Sequence, residues 1–219
     1  MKMKNIAAVA MAGCMAASLA ACGGSASSAA SSAASTEAAT SEAAEATGTS
    51  ANGFTVQLGS NPETLDPALN SAIDGANTII TTFEPLLLID ENNEVVPGQA
   101  DLPEVSEDGL TWTFTMKDGL KWSDGSDLTA KDFEYSFKRL ACPDTAAPYG
   151  ETVVGMIDGY QDAIGNPDAD GNTTTDPDWD ALNVHASEDG KTLTVQLSYP
   201  CSYFDKLAAF VATSPVQQA

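Results

Sequence analysis

Residues 106–133, SEDGLTWTFTMKDGLKWSDGSDLTAKDF, restrict the fold more than any other part of the chain. Within them Leu110, Trp112, Phe114 and Met116 alternate with Thr111, Thr113, Thr115 and Lys117. Successive side chains of a strand point to opposite faces, so this alternation specifies a strand with one buried face. Glu107-Asp108-Gly109 reads as the hairpin turn before it, and Lys117-Asp118-Gly119 turns the chain after it. Leu120 and Trp122 make a short return, which ends at Ser123-Asp124-Gly125. Thr129 with Asp132 three residues later fits a capping box, Asp standing in for the usual Glu, and opens a helix. Phe133, Phe137 and Leu140 are its buried stripe, and Pro143 marks its end.

The same phrase returns at 187–198 as SEDGKTLTVQLS, with Leu193, Val195 and Leu197 on one face. Two copies fall short of the three expected of a solenoid. They predict two hairpins of similar construction in one mixed α+β domain. Upstream, GFTVQLG at 53–59 alternates Phe54, Val56 and Leu58 with polar residues and reads as a first half-buried strand. SNPETLDPALN at 60–70 is a Pro-rich loop. Ile79, Ile80, Phe83, Leu86 and Leu87 recur at helical spacing until Pro85 and the apolar Leu86–Ile89 hand over to a strand. DENNEVVPG, starting at Asp90, reads as a turn.

Ahead of this domain the chain changes character twice. Residues 1–21 have a basic head at Lys2 and Lys4 and an uncharged apolar run of roughly 15 residues, too short to span a bilayer, which describes an export signal. The run ends in Leu19-Ala20-Ala21-Cys22, which resembles the lipobox of bacterial lipoproteins, where cleavage precedes the cysteine and its thiol is lipidated. Met11-Ala12-Gly13-Cys14 is a weaker second match, since cleavage there leaves too short an apolar segment. Residues 22–52 are almost entirely Ser, Ala, Thr, Glu and Gly and have nothing large to bury, so they are expected to be a flexible tether. Residues 53–219 form the folded part.

Charge then excludes whole classes of partner. The chain carries nine Lys+Arg against 31 Asp+Glu, a net −22, and removal of residues 1–21 takes two lysines and no acid, leaving seven against 31, or −24. Such a surface repels nucleic acid and anionic lipid headgroups. Two cysteines, Cys142 and Cys201, remain beyond Cys14 and Cys22. In an exported protein they are candidates for a disulfide, which would close a loop of about 60 residues and contribute roughly 4 kcal/mol. Two free, buried thiols are the alternative.

A search for catalytic chemistry finds no Gly-rich phosphate cradle and no His-x-x-x-His or Cys-x-x-Cys pattern. The single histidine, His185, reads as a strand residue two positions before the second SEDG turn. Asp168, Asp170 and Asn172 occupy the first ligand positions of a calcium loop, but Thr173 replaces its required Gly and Trp179 its bidentate Glu, so a solvated acidic loop is expected. No metal, cofactor or catalytic residue is assigned. Tyr149, in DTAAPYGE, is on chemistry alone a core or rim aromatic.

Taken together, SEDGLTWTFTMKDGLKWSDGSDLTAKDFEYSFKRL, NPETLDPA at 61–68, ENNEVVPGQA at 91–100, DTAAPYG at 144–150 and KTLTVQLSYPCSYFDKLAAF at 191–210 resemble the family 5 solute-binding proteins, the peptide-binding receptors of bacterial ABC importers. Glu84-Pro85 departs from the family's common Glu-Gly. The resemblance implies a type II periplasmic-binding-protein fold, α+β or α/β, with mixed sheets and flanking helices. It implies an extended peptide held between two lobes, delivery to permease and ATPase subunits, and no catalysis. It also implies that the chain resembles the first lobe's beginning and the inserted domain, with the second lobe missing. Carried over by position, the first-lobe ligand contacts fall on Ser71, Ile73 and Tyr149. A lipid anchor at Cys22 on the extracytoplasmic face of the cell membrane follows from the lipobox resemblance. Another solute on the same scaffold, such as a nickel chelate or a sugar, is the nearest alternative. A surface structural or adhesion lipoprotein is an alternative of another class, and an exported hydrolase a more distant one.

Overall fold

The computed structural model describes residues 56–218, so the signal segment, Cys22 and the tether 22–52 lie outside the described residues. Its centre is a four-stranded antiparallel sheet in the order β3-β4-β6-β5, where β3 is Glu104–Val105, β4 Thr111–Thr115, β5 Val184–Ala186 and β6 Thr192–Gln196. The two SEDG phrases are the turns of its two hairpins. In the first, Ser106 Oγ donates to Asp108 Oδ1 (2.5 Å) and accepts the Thr111 N–H (2.9 Å), while Asp108 Oδ1 accepts the Leu110 N–H (3.1 Å). In the second, Ser187 Oγ donates to Asp189 Oδ1 (2.6 Å) and accepts the Thr192 N–H (3.0 Å), while Asp189 Oδ1 accepts the Lys191 N–H (3.1 Å). Gly109 and Gly190 both close their turns at positive φ, +71° and +70°, a region that favours glycine.

The hairpins then pair with each other through the strands that follow the turns. Thr113 lies opposite Thr194, Trp112 opposite Val195 and Phe114 opposite Leu193. The outer pairings match as well, Glu104 with Thr113 and His185 with Thr194. A shift of 81 positions therefore maps one hairpin onto the other, with a local two-fold passing between Thr113 and Thr194. The alternation predicted for both strands is realised: Trp112, Phe114, Leu193 and Val195 are buried, and the threonines between them are half-buried or exposed.

Helix α2, Ala130–Ala141, packs on β5 and β6 and covers that buried face with Phe133, Phe137 and Leu140. Its capping box is present as expected: Asp132 Oδ2 accepts the Thr129 N–H (2.7 Å), and Thr129 Oγ1 accepts the Lys131 N–H (3.3 Å). Helix α5, Phe204–Ala208, buries Phe204 completely; its ring meets Trp112 edge-on at 5.3 Å and lies 6.5 Å from Phe114. Burying each of these rings stabilises by about 1.5–3 kcal/mol. Two short helices, α3 (Gly150–Val154) and α4 (Tyr160–Ala163), complete the core. Helix α1, Ile73–Thr82, precedes a separate two-stranded ribbon of β1 (Leu87–Ile89) and β2 (Val95–Pro97).

Three expectations need correction. Val56–Leu58 form no strand among the described residues, and Val56 is 62% and Leu58 37% exposed, because no neighbouring strand accepts their backbone bonds. The DENNEVVPG turn ends early: Asp90 Oδ1 accepts the N–H groups of Asn92 (2.9 Å) and Glu94 (2.8 Å), and the chain then enters β2. Cys142 and Cys201 are free thiols rather than a disulfide. Cys142 caps the end of α2, whereas Cys201 is buried in the core ahead of α5.

Candidate functional site

The segment carrying the candidate ligand residues is organised by Asp66. Its carboxylate receives both arms of Arg139 on α2, Nη1 to Oδ1 at 2.8 Å and Nη2 to Oδ2 at 2.5 Å, and also the Ala68 N–H at 3.0 Å. Burial pushes the Asp66 carboxyl up, but the Arg139 guanidinium and the N–H groups of Ala68 and Leu69 outweigh it and hold it below the usual carboxylate range. Asn70 is buried and donates from Nδ2 to the Ala72 carbonyl at 3.1 Å. Its side chain fills the space beside Gly75, where a Cβ would stand 2.0 Å from Asn70 Oδ1, so only glycine fits.

This framework presents Ser71 and Ile73 at the start of α1. Ser71 is exposed and Ile73 is 81% exposed. Ala72 at the N-cap supplies no side-chain acceptor, and the N–H groups of Ser71 and Ile73 make no backbone bond among the described residues. An unoccupied N–H and an outward apolar side chain suit an extended peptide. Tyr149 is half-buried at the start of α3, its ring edge-on to Phe210 at 5.2 Å and its carbonyl accepting the Val153 N–H at 3.0 Å. Phe210 leads directly into Val211–Thr213, which packs against α1, the helix that Ile73 begins.

Other polar groups serve the fold. Lys138 on α2 joins Glu134 at 2.7 Å and Asp180 at 3.2 Å; burial works against its charge, yet these two carboxylates raise its pKa overall. His185 sits exposed in β5, with Nε2 3.2 Å from Asn183 Oδ1. Asp168 Oδ1 accepts the N–H groups of Asp170 and Asn172, both at 2.9 Å, and so closes a turn. A cavity at the far end of α1, bordered by Glu84, Gln99 and Trp122, had no signal in the sequence beyond the assignment of Trp122 to a short return.

Among the described residues, Ser71 and Ile73 thus display free backbone N–H groups, Ile73 an outward apolar side chain, and Tyr149 a ring set edge-on to Phe210. Residues 94–219 match the bacterial extracellular solute-binding proteins, family 5 Middle, and the chain belongs to that family. It is 38% identical over 159 residues to the periplasmic murein peptide-binding protein MppA of Escherichia coli K12, covering 72% of this chain and 28% of that protein. It is 35% identical over 166 residues to the oligopeptide-binding protein OppA of Bacillus subtilis 168, covering 75% and 28%. Haemophilus influenzae OppA, solved in complex with RPPGFSPFR, superposes with a TM-score of 0.64 at 28% identity, over 73% of this chain and 29% of that one. The fold is thus that of the corresponding part of type II periplasmic binding proteins, and the chain spans less than a third of the relatives it matches.

Proposed function

We propose that this chain belongs to a receptor that captures peptides outside the cytoplasmic membrane and delivers them to the permease and ATPase subunits of an ABC importer. The observation that carries this reading is its likeness, at 38% and 35% identity, to two proteins named for peptide binding, joined to a structural match with a relative solved around RPPGFSPFR. In this reading Ser71 and Ile73 offer backbone groups to the peptide, Tyr149 offers its ring or hydroxyl, and no bond is made or broken. The export signal and Cys22 supply a lipid anchor that keeps the receptor on the extracytoplasmic face, since two acyl chains tether a soluble domain firmly.

Isothermal titration of the full-length receptor with a peptide library tests this. Tyr149→Ala is expected to weaken peptide binding about tenfold, while Tyr149→Phe keeps the packing on Phe210 and separates the role of the ring from that of the hydroxyl. Unchanged affinity in Tyr149→Ala rejects its role, and absence of any peptide binding rejects the reading. Mass spectrometry of the membrane fraction tests the anchor: Cys22 without lipid rejects it.

A further inference from the structure

Among the described residues, the buried side-chain polar atoms without a hydrogen-bond partner are Gln99 Oε1, Trp122 Nε1 and Ser214 Oγ. Gln99 and Trp122 line one and the same cavity of about 650 Å³, and Ser214 immediately precedes Pro215, which lines it too. Buried polar atoms are nearly always paired, and here two of the three exceptions belong to residues that line a cavity of the size that holds small molecules.

The chemistry of the two unpaired atoms is fixed. Gln99 Nε2 donates to Glu84 Oε2 at 3.1 Å, and a carboxylate only accepts, so the oxygen of the Gln99 amide is the free end. The Trp122 indole nitrogen only donates. Lys121 at the rim is already paired with Asp127 at 2.5 Å. The chain at 216–217, which also lines the cavity, is tied down by the Val216 N–H on Ser136 Oγ (2.8 Å) and by Gln217 Nε2 on Ser126 Oγ (3.1 Å).

We propose that this cavity is a second ligand site, which takes a planar, uncharged amide: its carbonyl accepts from Trp122 Nε1 and its N–H donates to Gln99 Oε1. Both atoms are buried beside the cavity, so the ligand reaches them when the two side chains turn toward it. The site lies at the C-terminal end of α1, about 15 Å along the helix from Ser71 and Ile73 at its start, and so is separate from the proposed peptide site.

The test uses the full chain labelled with ¹⁵N at its three tryptophans and titrated with N-methylacetamide, which carries one carbonyl and one N–H. The expected result is a saturable shift of the Trp122 indole signal alone. Trp112 Nε1 already donates to the Gly109 carbonyl at 3.3 Å, so its signal serves as an internal control. Gln99→Leu, which removes the acceptor, should weaken binding about tenfold. Methyl acetate, which lacks the N–H, should bind wild type more weakly by a similar factor and needs no variant to fold. No saturable shift of Trp122, or equal binding of the ester and the amide, overturns the proposal and leaves the cavity to water. Ser71→Ala is expected to leave this titration unchanged, so failure here and failure of the peptide reading are distinguishable.

Discussion

Arg139 of α2 grips Asp66, 73 positions earlier in the chain, with both guanidinium arms, and so ties the loop that presents Ser71 and Ile73 to the helix that covers the central sheet. Two parallel charge-assisted bonds fix orientation as well as distance. Both side chains are mostly shielded, at 19% and 27% exposure, so solvent weakens the pair less than it would a surface one.

Asp66→Ala is therefore expected to destabilise the domain by about 2 kcal/mol in urea denaturation, since it removes bonds to a charged group and strands the guanidinium. Retention of wild-type stability would show that the loop does not depend on the Asp66–Arg139 pair.

The same pair sets a pH dependence. Because the folded pKa of Asp66 lies below its unfolded value near 3.8, its contribution is present above that value and is lost as pH falls through the folded one. Stability should decline from about pH 4 downward, and Asp66→Asn should flatten that acid limb. An acid limb of unchanged slope in the variant would assign it to other carboxylates.

The equivalence of the two SEDG turns ends at their surroundings. Both glycines sit at positive φ, but a Cβ on Gly109 would meet only Pro200 Cβ at 3.4 Å, whereas one on Gly190 would meet Thr129 Cβ at 3.0 Å. Gly109→Ala should cost about 1 kcal/mol and Gly190→Ala measurably more, as read from paired melting curves. Equal costs would mean that the Thr129 side chain yields freely.

Thr129 also caps α2, and the Ala130 N–H reaches the Gly190 carbonyl at 2.8 Å, so the helix start and the second turn are one unit. Thr129→Ala should cost about 1 kcal/mol of stability. Thr129→Ser, which keeps the hydroxyl, should recover most of it in the same denaturation assay.

Alkylation distinguishes the two thiols. Cys142 is half-buried at the end of α2 and should react with iodoacetamide under native conditions without prior reduction, whereas Cys201, 4% exposed, should react only after denaturation. Peptide mapping that needed a reductant before either was labelled would restore the disulfide.

What the residues alone determined here is local. Leu110 to Met116 alternate whatever they pair with, Asp-Gly turns close through bonds that span only a few residues, and Thr129 and Asp132 cap a helix three positions apart. Those elements appear where the sequence places them because their energetics are complete within one turn or one strand. The tertiary structure decided everything that needs a distant partner. It chose β6 as the neighbour of β4, left Val56–Leu58 without a strand to bond, and left Cys142 and Cys201 as free thiols. It also paired Arg139 with Asp66 and gathered Glu84, Gln99, Trp122 and Val216 around one cavity. Periodicity records which face of an element is buried, but not against what, because burial depends only on apolar character whereas a pairing or a cavity depends on where separate segments meet.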